Sequence, residues 1–166
     1  METILTDGSA TFTPAQAGRL TGVDPGKQVN WRQRGVLPKG DTKGWNRFNI
    51  WGLLNLAFIA EAGAAGIDLD TARDMAGAAI QPMAKTLLEE PTGRRFVAYL
   101  SNDGASEIVA GETLSDIEAH IAGGFWAERG PTAIKIIDAY AVATTLRRRI
   151  DDQIHIPFEQ RTVGEQ

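Results

Sequence analysis

Side chains suited to phosphate oxygens and base edges are concentrated between residues 19 and 47 of this chain. Guanidinium and ammonium groups bind phosphate or guanine, whereas the amides of Asn and Gln match the edge of adenine. Residues 23–54 also contain three of the chain's four tryptophans. The pattern predicts contacts to double-stranded DNA by Arg19, Lys27, Gln28, Asn30, Arg32, Arg34, Lys39, Lys43 and Arg47.

Charge is unevenly distributed along the chain. Residues 1–50 carry seven basic and four acidic side chains, a net charge of +3, which leaves −7 for residues 51–166 of a chain whose total is −4. Because an electrostatic footprint belongs to a patch and not to the whole chain, the acidic total does not exclude a nucleic-acid partner. We expect the acidic remainder to repel DNA from the other faces.

The sequence offers little for catalysis or metal binding. It has no cysteine, which excludes disulfides and thiolate metal sites. His120 and His155 are isolated, and neither a nucleophile–base spacing nor a phosphate-binding glycine loop accompanies them. The three arginines at 147–149 complement a helix C-terminus, with a second DNA contact as the alternative. We expect no enzymatic activity and no cofactor.

Two short helices are predicted to position the basic side chains. Thr13-Pro14-Ala15-Gln16 has the pattern of a capping box with proline at the first helical position, and Gly22 ends that helix. Asp24 and Pro25 begin a second helix that Gly35 ends. This is typical of a helix-turn-helix, with 25–34 as the recognition helix, although an ordinary helical hairpin remains the alternative. Residues 38–47 are predicted to form a two-stranded wing with a basic tip.

The orientation of the second helix depends on one choice. Val29 and Trp31 lie about 200° apart on a helix, so both cannot face the interior. Burying Trp31 removes more apolar surface from water, so we expect it inside and Val29, Gly26 and Gln33 outside. Asn30 and Arg32 then flank the outer face and are the favoured base-reading residues.

The rest of the chain is predicted to alternate helices and strands. Asn49 caps a third helix, Asp70 caps a fourth, and Pro82 ends, kinks or restarts that fourth helix. After Pro91 the pattern changes to β-β-α-β-α, with a turn at Asn102-Asp103-Gly104. The expected fold class is α+β, with a winged helix-turn-helix domain at 1–90 and a small second domain at 91–166.

Several landmarks occur in an order that resembles the DNA-binding domain of the MerR family. They span about residues 10–80 and are Thr21-Gly22-Val23, Trp31, Gly35-Val36-Leu37-Pro38, Gly44-Trp45-Asn46-Arg47-Phe48 and Gly66-Ile67-Asp68-Leu69. The resemblance implies a winged helix-turn-helix that binds promoter or operator DNA. The chain departs from the family in having Val29-Asn30-Trp31 in the recognition helix and Asn46 in the wing, and no long dimerisation helix is evident.

The sequence therefore predicts a sequence-specific transcriptional regulator that binds DNA as a homodimer, with RNA polymerase or another regulator as a further candidate partner. A phage-type excisionase or packaging factor is one alternative. Another is a ligand-sensing or protein-interaction module. Residues 1–12 lack the regions of a signal peptide, and the longest apolar run contains Asn55 and Glu61, so we expect a cytoplasmic protein outside the membrane.

Overall fold

The computed structural model describes residues 10–37, 47–88, 90 and 95–154. Within these ranges seven helices accompany one three-stranded antiparallel sheet, a mixed α+β composition as expected. The predicted order of strands and helices after residue 95 is present, with one additional short helix, α6. The elements are α1 (Pro14–Thr21), α2 (Pro25–Gln33), α3 (Ile50–Ala64), α4 (Leu69–Leu87), β1 (Phe96–Asn102), β2 (Ala105–Gly111), α5 (Leu114–Ala122), α6 (Gly124–Arg129), β3 (Ala133–Asp138) and α7 (Ala139–Ile154).

Local capping explains where the first three helices begin. The Thr13 hydroxyl accepts a hydrogen bond from the Gln16 amide, and the Gln16 side chain accepts one from the Thr13 amide, which completes the predicted capping box. Asp24 caps α2 and Asn49 caps α3 in the same manner, each accepting from the backbone N–H three residues on. These three predicted starts are confirmed.

One expectation for α4 is wrong, and two of the three outcomes given for Pro82 are excluded. The cap is Asp68, whose carboxylate accepts from the Thr71 amide at 3.0 Å, and Asp70 lies within the first turn of the helix. That backbone hydrogen bond is the main cause that lowers the pKa of Asp68. Pro82 neither ends nor restarts the helix, which continues to Leu87. Its neighbour Met83 is fully buried, and burial of this face compensates for the hydrogen bond that proline cannot make.

The sheet has the order β2-β1-β3, with β1 in the centre and antiparallel to both neighbours. The β1–β2 hairpin turns at Asp103-Gly104, where the Asn102 side chain accepts from the Gly104 and Ala105 amides. One face of the sheet packs on α4 and α7. On the opposite face, Leu100 joins Ile117 and Trp126 in a small second cluster.

The larger hydrophobic core runs through both predicted domains. Its buried residues extend from Ala17 and Leu20 on α1 through α3 and α4 to Leu146 and Ile150 on α7. Hydrogen bonds follow the same path, because Arg149 on α7 donates to the Leu20 carbonyl at 2.8 Å. The predicted boundary near residue 90 therefore divides the helices and strands only in sequence order. The buried side chains on its two sides form one continuous cluster.

Candidate nucleic-acid interface

The turn between α1 and α2 holds the two helices close together. Gly22 adopts a φ of 78°, which favours glycine, and its N–H donates to the Gly18 carbonyl at 2.8 Å. A Cβ at Gly18 would lie only 3.0 Å from the Val23 carbonyl oxygen, so glycine also permits the close approach at this position. The path of the chain from α1 into α2 is thus fixed by backbone contacts.

Gln28 has a different role from the one expected. Its side chain is buried, and its amide nitrogen donates to the carbonyl of Pro14 at 2.9 Å and to that of Val23 at 2.7 Å. The amide therefore joins the start of α1 to the turn before α2, and the side chain is not accessible to a base edge. The signal was available in the sequence, because Gln28 lies three residues before Trp31 and shares its helix face.

The orientation of α2 agrees with the expectation for Trp31. Its indole is only 3 % exposed, whereas Val29 is 45 % exposed. The outward face carries two amides and two cations beside Val29, all of them exposed: Lys27, Asn30, Gln33 and Arg34. Lys27 rests at the edge of this face, with its ammonium 5.2 Å from the centre of the Trp31 ring.

Arg32 lies on the flank of α2 and is half-buried. Its guanidinium stacks on the Phe48 ring at 4.2 Å, and burial lowers its pKa from the usual value without removing its charge. Phe48 in turn pairs with Phe12 in an antiparallel bridge, with backbone hydrogen bonds of 2.7 and 2.8 Å. The segment before α1, the segment before α3 and the side of α2 therefore meet at Arg32.

The remaining predicted contact residues fall into two groups. Arg19 and Arg47 are exposed, and the Arg47 guanidinium donates to the Thr11 hydroxyl at 3.0 Å. Lys39 and Lys43, with the rest of the predicted wing at 38–46, lie outside the described residues. Arg47 at the end of the wing is thus anchored to the chain just before α1.

One of the two histidines, His120, lies beside a hydrogen-bonded carboxylate near the second cluster. Glu107 accepts from the Trp126 indole at 2.5 Å and lies 3.1 Å from the His120 ring, and these contacts lower its pKa, with Trp126 as the larger cause. The arrangement ties α5 and α6 to β2. Across the part of the chain that the structure describes, no three His, Cys, Asp or Glu side chains are grouped to hold a metal ion, and no helix is long and apolar enough to cross a bilayer.

A cleft of about 520 Å³ lies where α2 faces the C-terminal elements. Its walls come from the α1–α2 turn, α3, β3 and α7, with several alanines as the lining. Lys27 from α2 and Arg149 from α7 contribute cations, and Glu61 and Asp138 contribute carboxylates. The cleft thus joins the outward face of α2 to the second half of the chain.

Of the nine predicted contact residues, Lys27 and Asn30 are exposed on α2 and Arg34 is exposed at its C-cap, with Arg32 on the flank of the helix. Arg19 and Arg47 are exposed on neighbouring segments, and Gln28 is internal. Cationic and amide side chains of this kind can contact phosphate oxygens and base edges. No protein-family model matches the chain, and no curated protein sequence matches it.

Proposed function

We propose that this protein is a sequence-specific DNA-binding regulator of transcription and not an enzyme, with α2 as its recognition helix. The observation that carries the proposal is the exposed side of α2 and its C-cap, where Lys27, Asn30 and Arg34 reach solvent while Trp31 and Gln28 hold the inner side of the helix in the core. No cofactor is needed for this activity, since the contacts are non-covalent.

The dimensions of α2 suit the major groove. A helix of nine residues is about 14 Å long, and the groove of B-DNA is about 12 Å wide. Asn30 and Gln33 present amides of the kind that pair with adenine, and the exposed Val29 can contact a thymine methyl group. Lys27 and Arg34 are suited to the phosphates on either side of the groove.

The residues around α2 are assigned to the DNA backbone. Arg47, held by Thr11, and Arg19 at the end of α1 extend the cationic surface beyond the recognition helix. Lys39 and Lys43 complete it if the wing forms as the sequence predicts. The stacking of Arg32 on Phe48 limits its rotamers, which reduces the entropy lost when it contacts a phosphate or guanine.

Binding to DNA is tested with a pool of random duplexes at low ionic strength, followed by fluorescence anisotropy on the enriched sequence. We expect Arg34→Ala to weaken binding to all duplexes and to reduce the slope of log affinity against log salt by about one. Asn30→Ala is expected to relax the preference at one base pair, a loss of about 1–3 kcal/mol in discrimination. Lys85→Ala, which removes an exposed cation from α4, is the matched control and leaves both properties unaltered. Failure to retain any duplex at low salt would refute the proposal.

The cleft favours ligand sensing as a second candidate function. Its volume lies in the range of small-molecule sites, and it lies between two parts of the chain, where such sites are common. Ala60→Trp fills the cleft from α3. If sensing is the main activity, this variant abolishes saturable binding of an amphipathic dye such as anilinonaphthalene sulfonate, and the wild type shows no duplex affinity.

A further inference from the structure

The strand β3 forms an edge of the sheet and is unusually apolar. Ile134 is 47 % exposed and Ile136 is 39 % exposed, and Tyr140 follows on the first turn of α7 with 46 % exposure. Among the described residues β3 pairs only with β1. Edge strands of soluble proteins are commonly protected by charges, proline or a bulge, because an unprotected edge pairs with another strand.

The backbone of β3 is also available for pairing. The Ala139 N–H donates to the Arg95 carbonyl at 2.8 Å, so these two residues form a hydrogen-bonded pair. In the same register, Ile137 opposite Val97 and Lys135 opposite Tyr99 are also hydrogen-bonded pairs. Hydrogen-bonded positions alternate along an antiparallel strand. The N–H and C=O groups of Ile134 and Ile136 therefore point to the open side of the sheet.

The charged residues of β3 do not protect this edge. The Lys135 ammonium is hydrogen-bonded to the Gly66 carbonyl. The Asp138 carboxylate is paired with Arg95 at 2.9 Å and also accepts from the Ala141 N–H at 3.0 Å. The opposite edge, β2, differs because Ser106 and Glu107 are exposed there. The two edges of one sheet thus carry different surfaces.

We propose that β3 pairs with β3 of a second copy of this chain, antiparallel and centred on Ile136, which joins the two sheets into one of six strands. A second copy fits because an antiparallel strand can pair with itself about a two-fold axis. With the axis at Ile136, five residues from Ile134 to Asp138 pair, and Lys135 lies opposite Ile137 of the second copy. An axis at Lys135 would place the two ammonium-bearing residues directly opposite each other, which is unfavourable. An axis at Ile137 pairs only three residues of the strand.

This interface needs no DNA, so its failure is distinguishable from failure of the proposed function. Where both hold, the pair of chains supplies two recognition helices related by a two-fold axis, as two half-sites require.

The molar mass of the full chain, measured by light scattering during gel filtration without DNA, tests the pairing. We expect the wild type to have the mass of a dimer and Ile136→Lys that of a monomer, because the substitution places two ammonium groups opposite each other. Ser106→Lys introduces the same side chain on the exposed part of β2 and is expected to remain a dimer. A wild type that is monomeric at every concentration, or an Ile136→Lys variant that remains a folded dimer, overturns the proposal.

Cross-linking decides the register independently of any loss of stability. The chain has no cysteine, so Ile136→Cys introduces a single thiol. At the centre of the pairing the two Cα atoms are about 5.5 Å apart, within the range for a disulfide. We expect rapid oxidation of Ile136→Cys to a covalent dimer and little oxidation of Ile134→Cys, whose counterpart lies opposite Asp138. Equal rates for the two variants would contradict this register.

Discussion

The outward face of α2 and the open edge of β3 are both exposed, but their chemistry is opposite. The face of α2 carries amides and cations over a buried Trp31, whereas the edge of β3 carries two isoleucines whose neighbouring charges are already paired. A charged surface attracts a polyanion and is screened by salt, and an apolar edge associates by burial and backbone hydrogen bonds. The comparison teaches that exposure alone does not distinguish two surfaces, whereas the partners of the nearby charges do.

Salt should separate the two surfaces most strongly. With about five phosphate contacts, DNA affinity is expected to fall on the order of 500-fold between 50 and 200 mM salt. Association through β3 should not weaken over the same range, because apolar burial is not screened. Anisotropy with duplex and light scattering without it measure the two dependences. If both fall in parallel, the proposed difference between the surfaces is wrong.

Substituting Gln28 tests whether the interior of the α1–α2 pair fixes the outward face. Gln28→Glu keeps the shape of the side chain but replaces the donor to Pro14 and Val23 with a carboxylate. We expect a loss of about 3 kcal/mol in the free energy of unfolding, because the substitution buries a charge and leaves the two carbonyls without a donor. Denaturant titration measures it. The loss should be smaller at acidic pH, where the protonated carboxyl can donate, and Gln33→Glu on the exposed face is the control.

Asp68 and Asp70, at the start of α4, provide a matched pair that belongs to neither surface. Asp68→Ala removes the cap of α4 and should cost about 1 kcal/mol, whereas Asp70→Ala should cost only a few tenths. Because the pKa of Asp68 is lowered in the folded chain, its contribution is present above the unfolded pKa and is lost as pH falls through the folded value. Thermal unfolding of the wild type and Asp68→Ala, measured against pH, should show this dependence. DNA affinity and dimer mass should be unaltered in both variants.

The smallest effect is expected at Glu107. Its lowered pKa means that it stabilises the folded chain above the unfolded pKa and ceases to do so as pH falls through the folded value. The carboxylate is largely exposed, so Glu107→Gln should cost less than about 1 kcal/mol. Melting temperatures at neutral and acidic pH measure the difference. A large loss at neutral pH would mean that the second cluster depends on this charge.

Local hydrogen bonds made much of the fold predictable. The caps at Thr13, Asp24 and Asn49 require only a side-chain acceptor three residues before a backbone N–H, and all three follow from the sequence.

The wrong predictions concern residues whose roles depend on contacts with residues farther along the chain. Asp68 and Asp70 are locally equivalent as caps, but the start at Asp68 places Ile67 and Ala72 in the core on either side of the cap. The chemical type of Gln28 suggests a contact to DNA; its spacing from Trp31 indicates the inward face, but its partner Pro14, fourteen residues away, is identified only by the structure. The outward position of the other α2 residues followed from the size of Trp31.

The hydrogen bond from Arg149 to Leu20 connects one of the last described helices to the first. A ribosome therefore releases the first two helices long before the segment that completes their support has been made. We expect a nascent chain stopped ahead of residue 139 to remain sensitive to protease, and the finished chain to resist it. Premature termination would then yield a product for degradation.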